Sequence, residues 1–159
     1  LVNNVGRGSG TAAHLTSDED LDTWLHFNLK ITFQMSRAAL PHLWRVAGNI
    51  VNIASTMGFM GIPGLAAYAS AKGGVIGLTH QMAAEYGPKV RVNTLSPGPF
   101  LTDIAKAWAP ENREKVDSAL GRPGNPDEIV SAALFLASPA SSFTTGAIVR
   151  VDGGLPIGQ

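Results

Sequence analysis

The chain has 159 residues, and its 12 Lys plus Arg balance 12 Asp plus Glu to a net charge of zero. That length suits one domain with a sizeable core, and the neutral balance argues against nucleic acid or an anionic membrane surface as partner. No Cys is present, which excludes disulfides, thiolate metal sites and a Cys nucleophile. No apolar run approaches the roughly 20 residues that span a bilayer, and no signal-peptide pattern opens the chain, so a cytoplasmic location is expected.

Leu1–Val5 has the pattern of the end of a buried strand, followed by a turn over Gly6 to Gly10. Thr16-Ser17-Asp18-Glu19-Asp20 marks a helix start, with Thr16 and Glu19 or Ser17 and Asp20 as the capping pair. That helix is expected to run to about Trp44, with Pro41 able to bend or end it. Gly48 to Ala54 is a short apolar, β-branched run bounded by Gly, the pattern of a strand in a parallel sheet. An irregular loop with Gly58, Gly61, Pro63 and Gly64 leads to a helix over about Leu65–Tyr86, stopped by Gly87 and Pro88. A third strand, Val90–Leu95, is broken by Ser96-Pro97-Gly98-Pro99.

Residues 100–120 are expected to be mobile and partly helical. Asn125-Pro126-Asp127-Glu128 starts another helix, with Asn as cap, Pro at the first position and acids in the first turn. It ends near Ser138-Pro139, and Ala147–Val151 forms the last strand before Asp152-Gly153-Gly154. Strands alternating with helices predict the α/β class, with a parallel sheet flanked by helices and right-handed crossovers. Ligands of such sheets bind beyond the carboxyl ends of the strands. Chemistry is therefore sought just after each strand.

Those positions hold Asn3-Asn4-Val5-Gly6, Ser55 and Pro97-Gly98. The helix after the second strand opens with Tyr68-Ala69-Ser70-Ala71-Lys72. Four residues apart, Tyr68 and Lys72 share one helix face. A neighbouring ammonium favours the phenolate and lowers the Tyr pKa from near 10. A Tyr so tuned is a general acid or base for a carbonyl/alcohol pair, and the Ser55 hydroxyl is placed to bond the same substrate oxygen. Alone, the spacing also fits a packed Tyr beside a surface Lys. Asn3 and Asn93 fit structural ties between loops and strands. His14, His26, His42 and His80 show no metal-ligand spacing, so no metal is expected. Trp24, Trp44 and Trp108 fit packing or interface positions.

The ordered set of motifs resembles the short-chain dehydrogenase/reductase family. Leu1-Val2-Asn3-Asn4-Val5-Gly6 is similar to the family's Asn-Asn-Ala-Gly element at the end of its fourth strand, with Val5 replacing Ala in a crowded place. Asn28, Ser55, Tyr68 and Lys72 match its catalytic Asn, Ser, Tyr and Lys. Arg91-Val92-Asn93 and Pro97-Gly98-Pro99-Phe100-Leu101-Thr102 resemble the strand and turn beside the nicotinamide. Gly121-Arg122-Pro123-Gly124 with Glu128, and Val151-Asp152-Gly153-Gly154, resemble its C-terminal elements.

The resemblance implies a Rossmann-like sheet and an NAD- or NADP-dependent oxidoreductase acting on a small secondary alcohol or ketone. It makes Tyr68 the acid/base and Ser55 the group that polarises the carbonyl. Lys72 lowers the Tyr68 pKa and binds the nicotinamide ribose, and Asn28 holds a water that relays protons to solvent. Asn3, Val5, Gly6, Pro97, Gly98, Phe100 and Thr102 join Tyr68 and Lys72 in binding the cofactor, with Thr102 and the Phe100 backbone on the carboxamide. The pocket is expected to be apolar, near Met57, Phe59, Met60, Ile62 and residues 100–108.

The resemblance also implies a homodimer or homotetramer. Helices about 17–44 and 65–86 form one interface, and helix 126–137 with strand 147–151 forms another. Ala66, Ala67, Ala69, Gly73, Gly74 and Gly77 let helices or a cofactor approach closely. The family's first strand and Gly-rich turn, where a helix N-terminus carries the pyrophosphate, have no counterpart here. Gly6-Arg7-Gly8-Ser9-Gly10 follows Asn-Asn and does not open the first βα unit. Residues 1–159 are thus expected to be a single partial Rossmann-type domain, from the family's fourth strand onward. The residue that selects NAD or NADP lies in the missing part. The competing expectation is a truncated, non-catalytic α/β module acting only through association. A serine hydrolase is disfavoured because Ala54-Ser55-Thr56 is not a Gly-x-Ser-x-Gly elbow.

Overall fold

A computed structural model describes residues 1–8 and 10–156; Ser9, in the glycine-rich turn, lies outside the described residues. Among the described residues, four strands carry the fold: β1 (Val2–Asn3), β2 (Asn49–Ile53), β3 (Arg91–Pro97) and β4 (Ile148–Val151). They form one sheet in the order β1-β2-β3-β4, parallel throughout, as expected of an α/β sheet flanked by helices. The helices are α1 (Asp18–Leu25), α2 (Ile31–Arg45), α3 (Ala66–Tyr86), α4 (Pro110–Glu114) and α5 (Val130–Ala137).

Local chemistry explains the element ends. Of the two candidate capping pairs, Ser17 and Asp20 form: the Ser17 hydroxyl accepts the Asp20 N–H at 3.1 Å. The expected single helix from residue 17 to 44 is two helices joined by a π-helical turn over His26–Lys30. Pro41 lies inside α2 and does not end it. Gly87 caps α3 with extended backbone, φ −64°, so the stop comes from Pro88 and not from a left-handed glycine. At the start of the last helix, the Glu128 carboxylate accepts the Asn125 N–H at 2.7 Å and pairs with Arg122. Pro126–Ile129 forms a 3-10 turn that leads into α5. The segment 100–120 contains a 3-10 turn, Asp103–Ala107, and then α4.

Alternation along the strands divides the core between two faces. Ile50 and Val92 pack with Leu40 of α2 and with Met82 and Ala83 of α3. Val51 and Leu95, on the opposite face, pack with Leu136 of α5. The chain steps in one direction from β2 to β3 to β4, yet α3 and α5 cover opposite faces. Their crossovers therefore have opposite hands, which corrects the expectation that all are right-handed. The β3-to-α5 connection spans residues 98–129. A connection that long escapes the local twist constraint that fixes the hand of short crossovers.

A buried polar row crosses the sheet on the α2/α3 face. Asn3 Nδ2 donates to Ser36 Oγ at 2.9 Å and to Asn52 Oδ1 at 2.8 Å. Asn52 Nδ2 and Thr94 Oγ1 each donate to Thr79 Oγ1 at 2.9 Å, and that hydroxyl donates to Val75 O at 2.9 Å. Thr79 thus uses its one donor and both acceptor sites. Removing this hydroxyl strands a buried Asn52 N–H and a buried Thr94 hydroxyl. Thr79→Val should therefore lower unfolding stability by about 2 to 3 kcal/mol, seen as a reduced urea midpoint with an unchanged slope. A loss below about 0.5 kcal/mol would show that the row is not a stability element.

Candidate active site

Three elements meet at the carboxyl end of β2. Ser55 follows β2, Tyr68 and Lys72 project from the first turns of α3, and Asn28 sits in the π-helical turn between α1 and α2. Packing of α3 on the sheet buries Lys72, which is only 5% exposed. Its Nζ donates to Ile53 O at 3.0 Å and lies 5.9 Å from the centre of the Tyr68 ring. Burial lowers the Lys72 pKa from 10.5 to about 8, because desolvation disfavours the ammonium.

The Tyr68 phenol moves the other way. Burial raises its pKa, and the neighbouring Ser55 hydroxyl only partly opposes that rise. The expectation that Lys72 lowers the Tyr68 pKa is therefore corrected: desolvation of the phenolate outweighs every favourable interaction, and the Lys72 ammonium is directed at the Ile53 carbonyl. The result is a phenol that stays protonated at neutral pH beside a lysine close to its titration point.

Asn28 is fully buried. Its Oδ1 accepts the Arg7 N–H at 3.0 Å, and its Nδ2 donates to Trp24 O at 3.2 Å. Both ends of the amide thus brace the turn after β1 against the helix. That turn comes very close to the site: a Cβ on Gly6 would stand 2.8 Å from Asn28 Oδ1 and 3.3 Å from Lys72 Nζ. The Arg7 guanidinium lies over the Phe27 ring at 4.0 Å.

The remaining candidates divide. The Asn3 side chain is spent in the buried polar row, so it contributes to the sheet and only its backbone can face a cofactor. Val5 is half exposed, so the position expected to be crowded is open in this chain. Pro97, Gly98, Phe100 and Thr102 form a separate patch after β3. There Gly98 N–H donates to Val151 O at 2.9 Å, and a Cβ on Gly98 would overlap Asp152 at 2.6 Å. Phe100 is buried against Gly124, and its carbonyl accepts the Thr102 N–H at 2.8 Å. Thr102 is exposed. The structure therefore joins Gly6, Asn28, Ser55, Tyr68 and Lys72 in one cluster and ties the Pro97–Thr102 turn to Asp152 and Gly124 instead.

Two features escaped the sequence reading. Trp24, taken as a packing or interface residue, meets the Tyr68 ring edge-to-face at 6.4 Å and holds Asn28 through its carbonyl. The four-residue spacing from Trp24 to Asn28 was the available signal. The π-helical turn that carries Asn28 has no sequence signal in a continuous amphipathic run, although such turns occur often at functional sites.

A family model described as enoyl-(acyl carrier protein) reductase matches residues 1–156. The chain is 41% identical over 165 residues to a protein named inactive 2-(S)-hydroxypropyl-CoM dehydrogenase 2 from Xanthobacter autotrophicus, covering 98% of this chain and 72% of the relative. It is 38% identical to the 3-oxoacyl-[acyl-carrier-protein] reductase FabG of Thermotoga maritima, covering 99% of this chain and 65% of that protein. A crystal structure of a gluconate 5-dehydrogenase from Burkholderia cenocepacia, in complex with NADP and tartrate, superposes with a TM-score of 0.90 at 32% identity, over 98% of this chain and 63% of that one. The chain thus spans about two thirds of the length of these relatives. Motif order, sheet topology and these matches agree, and the chain belongs to the short-chain dehydrogenase/reductase family.

Proposed function

We propose that this chain carries the acid/base centre of an NAD- or NADP-dependent oxidoreductase that interconverts a secondary alcohol and a ketone. The observation that carries the reading is the pairing of a buried Lys72 with a Tyr68 phenol kept neutral by burial, with Ser55 beside the phenol. An ammonium has three N–H donors, and among the described residues Lys72 gives one to protein, the Ile53 carbonyl. Buried donors left over, next to the Gly6 backbone, fit vicinal hydroxyls such as those of a nicotinamide ribose. The exposed Thr102 hydroxyl after β3 fits a carboxamide. The nicotinamide, when bound, supplies the hydride to the substrate carbon or removes it.

The protein's own part is the proton and the geometry. In reduction, Tyr68 Oη gives its proton to the ketone oxygen; in oxidation it takes the proton from the alcohol. Ser55 Oγ accepts the Met57 N–H at 3.2 Å, which holds the hydroxyl in place and leaves its proton to donate to the same oxygen. Lys72, with a pKa of about 8, is mostly charged at neutral pH and keeps its remaining N–H donors for a ligand. A raised Tyr68 pKa makes the site a proton donor near pH 7, so ketone reduction is the direction it suits there. Oxidation gains as the pH rises.

Self-association as a homodimer or homotetramer belongs to the same proposal. Exposed apolar side chains on α2 (Phe33, Met35) and on α5 (Leu134, Phe135) support it. A second reading, a non-catalytic module, has one specific point in its favour: a relative at 41% identity is named inactive. The presence of all four acid/base candidates in one cluster favours catalysis.

Two experiments bear on this reading. Tyr68→Phe should reduce ketone-dependent oxidation of NADH or NADPH, followed by absorbance, by about 10²- to 10⁴-fold, with the unfolding midpoint little changed; retained turnover would remove Tyr68 from the chemistry. The second concerns Lys72. Its pKa is lower folded than unfolded, so between about 8 and 10.5 the unfolded state binds more protons. Stability should rise with pH in that window by an amount on the order of 2 kcal/mol from pH 8 to pH 10, before Tyr68 ionisation opposes it. Urea unfolding at the two pH values should show the rise in the parent protein and not in Lys72→Met. The same slope in both would mean that Lys72 is not desolvated as described.

A further inference from the structure

Resting on the oxidoreductase reading, we propose that Gly58 and Gly73 are positioning residues, and that their backbone-to-backbone contact sets the distance between Ser55 and the Tyr68–Lys72 face of α3. Ser55 leaves β2 and enters a tight 3-10 turn, Thr56–Gly58. Gly58 N–H donates to Ser55 O at 2.9 Å, and the Phe59 and Met60 N–H groups donate to Thr56 O at 3.1 and 3.0 Å. Thr56 is buried. Ser55 and Gly58 therefore move together as one rigid turn.

Gly58 is where this turn rests on α3. A Cβ there would stand 3.0 Å from both the carbonyl carbon and the oxygen of Lys72, and 2.9 Å from Ile76 Cδ1. From the helix side, a Cβ on Gly73 would stand 3.2 Å from Gly58 O. Neither glycine has the positive φ that would require glycine for its dihedral angles. The requirement is closeness. The obstacle is backbone of a long helix that packs on the sheet, so an added methyl at 58 must push the turn away, and Ser55 with it. Gly77, one helical turn beyond Gly73, has nothing within 4 Å of its virtual Cβ. The glycines of α3 are thus unequal: Gly73 faces the Ser55 turn, and Gly77 faces open space.

The test compares Gly58→Ala, Gly73→Ala and Gly77→Ala in the full-length protein, with the Tyr68 signal isolated as the difference between each variant and the same variant carrying Tyr68→Phe. Two readouts are used: the phenol titration by ultraviolet absorbance, which needs no turnover, and kcat against KM for the dinucleotide. Withdrawing Ser55 removes the interaction that opposes the burial shift. Gly58→Ala should therefore raise the phenol pKa further and lower kcat about 10- to 100-fold, with the dinucleotide KM unchanged within about twofold. Gly73→Ala should do the same to a smaller extent, and Gly77→Ala should leave both readouts as in the parent. Parental pKa and kcat in Gly58→Ala would overturn the proposal. Should Gly58→Ala fail to fold, Gly73→Ala decides by the same criteria. A protein with no turnover but with the graded phenol shift would reject the oxidoreductase reading and keep the positioning contact.

Discussion

Holding a lysine ammonium inside the protein, at the carboxyl end of a parallel sheet, is the constraint on which the rest of the site depends. Burying a charge is costly unless the group is hydrogen-bonded, and the usual response is a shifted pKa. Lys72 shows both: one bond to the Ile53 carbonyl and a pKa drawn down to about 8. The bond works because Ile53 is the last residue of β2. At that point the strand's carbonyls run out of ladder partners and can accept a side-chain donor. The end of β2 thus anchors Lys72, and it also launches Ser55 two residues later.

The two supports of this region differ in kind. Deeper in the sheet, polar side chains lock β1, β2, β3, α2 and α3 together through Asn3, Asn52, Thr94, Ser36 and Thr79. Such a network is directional and tolerates no missing member. At the site itself the supports are steric: Gly6 against Asn28 and Lys72, and Gly58 against the Lys72 backbone. Bare backbone at these points leaves side-chain polar groups free for a ligand while still fixing where they stand. The interior is locked by hydrogen bonds, and the rim is shaped by glycine contacts.

Much of this was legible in the sequence, and the illegible parts share a cause. The four-residue spacing placed Tyr68 and Lys72 on one face because a helix has a fixed period. Ser17 and Asp20 were legible as a capping pair because capping is local. The direction of the Tyr68 shift was not, since it depends on how deeply α3 packs, and no spacing encodes that depth. Pairing Tyr with Lys suggested a lowered pKa; burial of the phenol raised it. Asn28 was found, but the bonds its amide makes to the Arg7 N–H and the Trp24 carbonyl were not. Those partners come from 21 residues away and from the preceding helical turn, through a π-helical irregularity that apolar periodicity hides. The opposite hand of the α5 crossover was hidden as well. It is permitted by a connection whose length is visible in the sequence but whose path is set by tertiary packing.

This division between local and tertiary information bears on how the site divides its work. Asn28, Ser55, Tyr68 and Lys72 hang on β2, α3 and the helix after β1, all on the sheet face covered by α2 and α3. Pro97–Thr102 hangs instead on the end of β4 and on Gly124, through Gly98 against Asp152 and Phe100 against Gly124. The two patches share no direct side-chain hydrogen bond among the described residues, but Arg150, which pairs with Asp152, lies over the Phe59 ring at 5.2 Å and so links the end of β4 to the turn that carries Ser55. A disturbance at Asp152 should therefore reach both the turn after β3, through Gly98, and the Ser55 turn, through Arg150 and Phe59, whereas one at Gly124 should reach the turn after β3 first, through Phe100.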